Sequence, residues 1–158
     1  QGGIDLFVAV SDNAIPLEAR YEWREPMVWV RGRDFLLDID APVPLVTFGE
    51  SCAFHRVATT ALNAARRSYE MVFKGPSEAT NMEAVRAGLG IGMVPRSRAA
   101  ASGCEVCPDP MLPRMSDLHC GIYVSDNDEQ SVLDELADAL YAECQSKLRR
   151  SVEEAVDA

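Results

Sequence analysis

Long apolar runs, a clear excess of cations and histidines are what this sequence lacks, and each shortage excludes something. No run approaches the length of a membrane span, and no basic, apolar leader segment opens the chain. Lysine and arginine number 15 against 25 acidic residues, a net charge of −10. Such a surface repels phosphate backbones, and no basic stripe offsets it, so DNA binding by this chain alone is not expected. The one basic cluster, Lys147 to Arg150, ends a helical pattern, where cations suit the helix dipole. Only 2 histidines occur, and neither a G-x-S-x-G nor an H-E-x-x-H arrangement is present. The 5 cysteines are an odd number, ill-suited to a secreted disulfide framework. A reducing, cytoplasmic setting without membrane contact is the expectation.

What is present suffices for a packed core. Hydrophobic residues make up 47% of 158 positions, and glycine and proline are scattered as punctuation. Ile4 to Val10, Pro26 to Arg31 and Pro44 to Phe48 are short, continuous apolar runs that predict buried strands in a largely parallel sheet. Phe54, Val57, Ala58, Ala61, Leu62 and Ala65 fall on one helical face, with Ser51 placed to cap it. Ser77 is placed to cap a second helix carrying Met82 and Val85, which Gly88 terminates. Strands are expected at residues 69–74, 89–95 and 118–124. The stripe Val132, Leu133, Leu136, Ala137, Leu140, Tyr141, Cys144 and Leu148 predicts a last helix, with Asp126, Asp128 and Glu129 near its start. The stretch 102–116 reads as irregular, and the tail 151–158 as frayed. Alternating elements of this kind define an α/β fold.

Two turns and one cysteine cluster carry candidate chemistry. The turn from Phe48 to Phe54 leads from a strand into a helix, where free amides favour anions. Gly75-Pro76-Ser77 is a second turn of the same type. Each is equally compatible with an ordinary helix start. The glycines at 88, 90 and 92 end a helix and begin a strand, the reverse of a dinucleotide loop. Cys104 and Cys107, with His119 and Cys120, have spacing compatible with zinc or a redox pair. His119 and Cys120 open a strand, however, and would point to opposite faces. Buried small hydrophobes are the simpler account. Cys52 and His55, three apart on one helix, are the best candidates for a nucleophile pair.

Gly3 to Val10, with its glycine-x-aspartate-leucine opening, resembles an element of the effector domains of LysR-type transcriptional regulators. So do Ser77 to Pro95, Pro44 to Arg56 and Pro26 to Val30, in the same order. The resemblance implies a two-lobed, periplasmic-binding-protein-like fold with mainly parallel sheets. Residues 27–118 would form the second lobe; residues 1–26 and 119–150 would be the remnant of an incomplete first lobe. It further implies a small-molecule effector, anionic in character, held between the lobes by Ser11, Gly49, Glu50, Ser51, Cys52, Ala53, Gly75, Ser77 and Pro95. No catalytic residue, metal or cofactor is implied. The parent protein would be a homo-oligomer, a dimer or tetramer, meeting DNA only through an N-terminal domain absent from this chain. An incomplete lobe should leave sheet edge or apolar surface uncovered. The alternatives are a solute-binding protein of the same broad fold, which five cysteines disfavour, or a thiol enzyme using Cys52 and His55.

Overall fold

A computed structural model describes residues 4–15, 18–108, 110–125 and 130–156. In chain order the elements are β1 (Leu6–Ser11), β2 (Tyr21–Glu25), β3 (Met27–Arg31), β4 (Val43–Thr47), α1 (Ala53–Ala64), β5 (Tyr69–Lys74), α2 (Glu78–Arg86), β6 (Gly92–Pro95), α3 (Arg96–Ala99), β7 (Glu105–Val106), β8 (Leu118–Val124) and α4 (Gln130–Val156). Gly3, Asp126, Asp128 and Glu129 lie outside the described residues. Among the described residues no helix is long and apolar enough to cross a membrane.

Two sheets result. The first has the order β1-β8-β2, with both pairings antiparallel. The second joins the antiparallel set β6-β3-β7 to the parallel pair β4-β5. The junction is a parallel bridge between Leu45 and Ile91, closed by Val46 N to Ile91 O at 2.9 Å and Ile91 N to Pro44 O at 2.7 Å. The strand order across the second sheet is therefore β5-β4-β6-β3-β7. The α/β class holds, but the expectation of mainly parallel sheets does not: only β5-β4-β6 run parallel. Continuous apolar runs report burial on both faces, and β3 is buried on both faces between two antiparallel neighbours.

Helices cover both faces of the second sheet. Met27, Trp29, Val43, Leu45, Ile91 and Met93 pack with Phe54, Val57, Ala58 and Leu62 of α1. Val28, Val30, Val46 and Val94 pack with Met82, Ala84 and Val85 of α2 on the other side. The alternation along β3 follows the two-residue repeat of a strand. Gly88, with φ +81°, ends α2 as expected: Gly88 N bonds Val85 O and Leu89 N bonds Ala84 O, the paired bonds of a left-handed C-cap. Gly92 sits where a Cβ would come within 2.8 Å of Val85 Cγ2, so its absence of side chain lets α2 approach β6 closely.

Other expectations are corrected. β1 is not buried: Phe7, Val8 and Val10 are 43%, 49% and 45% exposed, and among the described residues β1 is an edge strand of the first sheet, paired with β8. β2 escaped the sequence reading because Tyr-Glu-Trp-Arg-Glu is mostly polar. Its alternation nevertheless places Tyr21 and Trp23 against Tyr141 of α4, ring centroids 4.1 and 5.9 Å away. The stretch 102–116 holds the short β7 and the buried Leu112 and Met115. The tail does not fray at 151. Helix α4 runs on to Val156, through residues such as Glu153 and Glu154 that favour helix. Arg20 and Tyr21 anchor the earlier part of α4 through Asp138, at 3.0 and 2.6 Å.

Gly92→Ala should lower stability by about 1–3 kcal/mol in urea titration, because Val85 cannot yield without moving α2. An unchanged midpoint would show that the helix–strand spacing is looser than described.

Candidate functional site

The strand-to-helix turn after β4 is shaped by Thr47 and Gly49. Thr47 is fully buried, and its hydroxyl accepts from Gly49 N at 3.2 Å and is hydrogen-bonded to His55 Nδ1 at 3.0 Å. Gly49 takes φ +106°, a conformation that favours glycine. Cys52 N bonds Gly49 O, and Arg56 N then bonds Cys52 O, so Cys52 rather than Ser51 is the N-cap. The expected Ser51 cap is one residue early. Ser51 is exposed and offers its carbonyl to Arg56 Nη1 at 2.8 Å; no side chain caps α1. Ala53 is the first helical residue and Glu50 is exposed.

The second turn lies beside the first. Gly75 N bonds Thr47 O at 3.1 Å, so the ends of β4 and β5 are tied together. Lys74 lies across Gly49: a Cβ there would be 2.7 Å from Lys74 Cε and 3.1 Å from Nζ. Asn81 of α2 packs its amide against Gly75, only 1% exposed, with neither amide atom hydrogen-bonded among the described residues. Ser77 caps α2 as expected, accepting from Thr80 N at 3.2 Å.

From the first sheet, Ser11 ends β1 and its hydroxyl accepts from Asn13 N at 3.1 Å. The neighbouring Asp12 reaches the α1 turn, bonded through Oδ2 to Arg56 Nε at 2.9 Å and through Oδ1 to Arg56 Nη2 at 2.8 Å. That guanidinium holds the Asp12 carboxyl below the usual carboxylate range. The structure thus brings the Ser11, Gly49–Ala53 and Gly75–Ser77 segments toward one region. Lys74, Asp12 and Arg56 belong there too and were missed. Only a strand-end lysine before Gly75 was available as a local signal; the Asp12–Arg56 pairing spans 44 positions and left none.

Pro95 ends β6. It lines a cavity of about 310 Å³ together with Val8, Val10 and Trp23 of the first sheet, Phe54 of α1, and Cys144 and Lys147 of α4. Glu25 also lines this cavity, its carboxylate accepting from Trp23 Nε1 at 3.2 Å and from the Ser97 hydroxyl.

The cysteine candidates separate. Cys104 packs on the α2 side of the second sheet, its thiol directed at Met82, whereas Cys107 packs on the α1 side. Three positions apart across a strand, they face opposite ways. His55 is 7% exposed, and burial lowers its pKa, which disfavours an imidazolium beside Cys52. All five cysteines are free. Burial pushes the Cys107 thiol up to about 11 and that of Cys120 up to about 12.

The two-lobed α/β architecture is that of periplasmic-binding-protein-like regulatory domains. The model of the LysR substrate binding domain family matches residues 1–145, and the chain belongs to that family. Among solved structures it is similar to a mutant OxyR from Corynebacterium glutamicum, with TM-score 0.59 and 20% identity, covering 96% of this chain and 52% of that one. It is also similar to the bromide-bound regulatory domain of Salmonella typhimurium HypT, with TM-score 0.61 and 14% identity over 88% of this chain and 73% of that one. The Synechocystis CcmR regulatory domain in complex with 2-PG gives TM-score 0.60 and 13% identity over 87% and 72%. The chain therefore spans about half the length of the matched OxyR and about seven-tenths of the two regulatory domains. No curated protein sequence matches.

At neutral pH a thiol reagent should modify Cys120 no faster than the chain unfolds and Cys107 more slowly than a free thiol, with or without a chelator. Fast native-state labelling of either, or a rate that changes when chelator is added, would contradict the burial described.

Proposed function

We propose that this chain is the effector-sensing part of a bacterial LysR-type transcriptional regulator. It binds a small anionic metabolite between its lobes and acts on DNA only through segments outside this chain. The observation that carries the reading is the side-by-side placement of two strand-to-helix turns. Gly49 to Ala53 and Gly75 to Ser77 are tied by Gly75 N to Thr47 O, with Lys74 across Gly49 and no side chain capping α1. Open helix amides beside a lysine suit a carboxylate or phosphate. The complexes of CcmR with 2-PG and of HypT with bromide support an anion at such a domain, though each belongs to its own protein.

In this reading Ser11, Gly49, Glu50, Ser51, Cys52, Ala53, Gly75 and Ser77 contribute to the cleft, joined by Lys74. Residues 27–118 form the second lobe, and the flanking segments belong to the first. Effector binding favours one arrangement of the lobes and reaches DNA-binding elements through subunit packing in a homo-oligomer. The acidic surface serves no DNA contact of its own, with a net charge of −10. Against a thiol enzyme, His55 is buried and its Nδ1 is hydrogen-bonded to Thr47, with burial lowering its pKa.

A thermal-shift screen of small organic acids should find one that raises the melting temperature, by about 2.7 kcal/mol of added stability at a hundred times its dissociation constant. Failure of every acid to shift this chain and the longer parent domain would remove the anionic-effector reading.

A further inference from the structure

Arg56 closes the first turn of α1 and reaches two ways. Its Nη1 donates to Ser51 O within its own turn, at 2.8 Å. Its Nε and Nη2 form a two-pronged grip on both oxygens of Asp12, at 2.9 and 2.8 Å. Asp12 follows the last residue of β1 in the first sheet, whereas α1 is packed on the second. Among the ion pairs of the described residues, this is the one that joins a first-sheet strand end to a second-sheet helix. The pair is partly open to solvent, with side-chain exposures of 44% for Arg56 and 19% for Asp12. A planar guanidinium is the side chain best shaped to take a carboxylate edge-on, and here the carboxylate comes from the chain itself.

We propose that Asp12 is a tethered carboxylate occupying the guanidinium that the acid group of an effector takes on binding, so that effector entry displaces Asp12 and releases the tie between the sheets. The inference rests on the anionic-effector reading above and adds its regulation: an internal contact that the effector must break. The tether gives Asp12 a high effective concentration at Arg56, which a free carboxylate has to overcome. An effector that engages Arg56 only when Asp12 has left binds the released state better, and that difference drives the change of lobe arrangement.

Acetate is the probe. The amide resonances of Ser51, Cys52 and Ala53 are followed in the 158-residue chain as sodium acetate replaces sodium chloride at constant ionic strength. Wild type should saturate, and Asp12→Asn should reach half-saturation at roughly fivefold less acetate or lower. Asp12→Ser, which removes the charge in a different way, should behave like Asp12→Asn, with thermal melts confirming that both fold. Arg56→Gln should lose saturable binding. If wild type saturates but the Asp12 variants bind no more tightly, the displacement proposal is overturned while an anion site at the turn stands. Saturation of Arg56→Gln as tight as that of wild type overturns it as well. If no protein saturates, the displacement proposal falls together with the acid-group reading on which it rests.

Discussion

Helix α1 is packed from two directions, and the rest of the arrangement depends on that constraint. One face of Phe54, Val57, Ala58 and Leu62 must leave water, and the apolar cluster that receives it runs from β3, β4 and β6 to Leu118 and Cys120 of β8 in the first sheet. Each large side chain so buried contributes about 1.5–3 kcal/mol. Sliding α1 along its axis would expose several of them together. Its N-terminal turn is consequently held at one position relative to the end of β1, which is why Arg56 meets Asp12 with good two-pronged geometry. Packing sets the site; the polar contacts then read it out.

Much of the second sheet was legible in the sequence because its signals are local. Ser77 at its cap, Gly88 at a left-handed helix end and the apolar face of α1 each follow from residues within one or two turns of chain. Strand direction was not legible, since an apolar run buried on both faces looks the same whichever way its neighbours point. β2 was hidden by Glu22, Arg24 and Glu25, whose charges mask the inward Tyr21 and Trp23. At the site the two turns were readable, but the cap moved from Ser51 to Cys52 because backbone bonding to Arg56, not side-chain type, decides where a helix starts. Lys74 across Gly49 and Asp12 on Arg56 are long-range pairings, and periodicity carries no trace of them. Pro95 was grouped with the turns by resemblance; it ends β6 and lines the cavity that Phe54 of α1 also lines.

The buried Glu25 gives that cavity a structural meaning. It ends β2 immediately before β3, and its two donors come from Trp23 on its own strand and Ser97 on α3. A carboxylate satisfied from its own strand and from the helix after β6 fixes the chain where it crosses between the sheets, because an unpaired charge there would be costly. Helix α4 adds to this joint, running from Asp134 and Asp138, which bind Arg20, to contacts with α3. Among the described residues the sheets are thus joined at the back by buried packing and at the front by the partly exposed Asp12–Arg56 ion pair. Among the described residues, the edge strand β1, with Phe7, Val8 and Val10 half exposed, carries the least covered apolar side chains of the first sheet.

The central claim is that ligand recognition occurs at the turns between β4 and α1 and between β5 and α2. A crystal structure of the chain, or of its parent domain, with an organic acid that stabilises it tests this most directly. Ligand density is expected between Asp12, the Gly49–Ala53 turn and Lys74, with its acid group on the α1 amides or Arg56. Density confined to the apolar cavity of Val10, Trp23 and Pro95, with the turns empty, would contradict it.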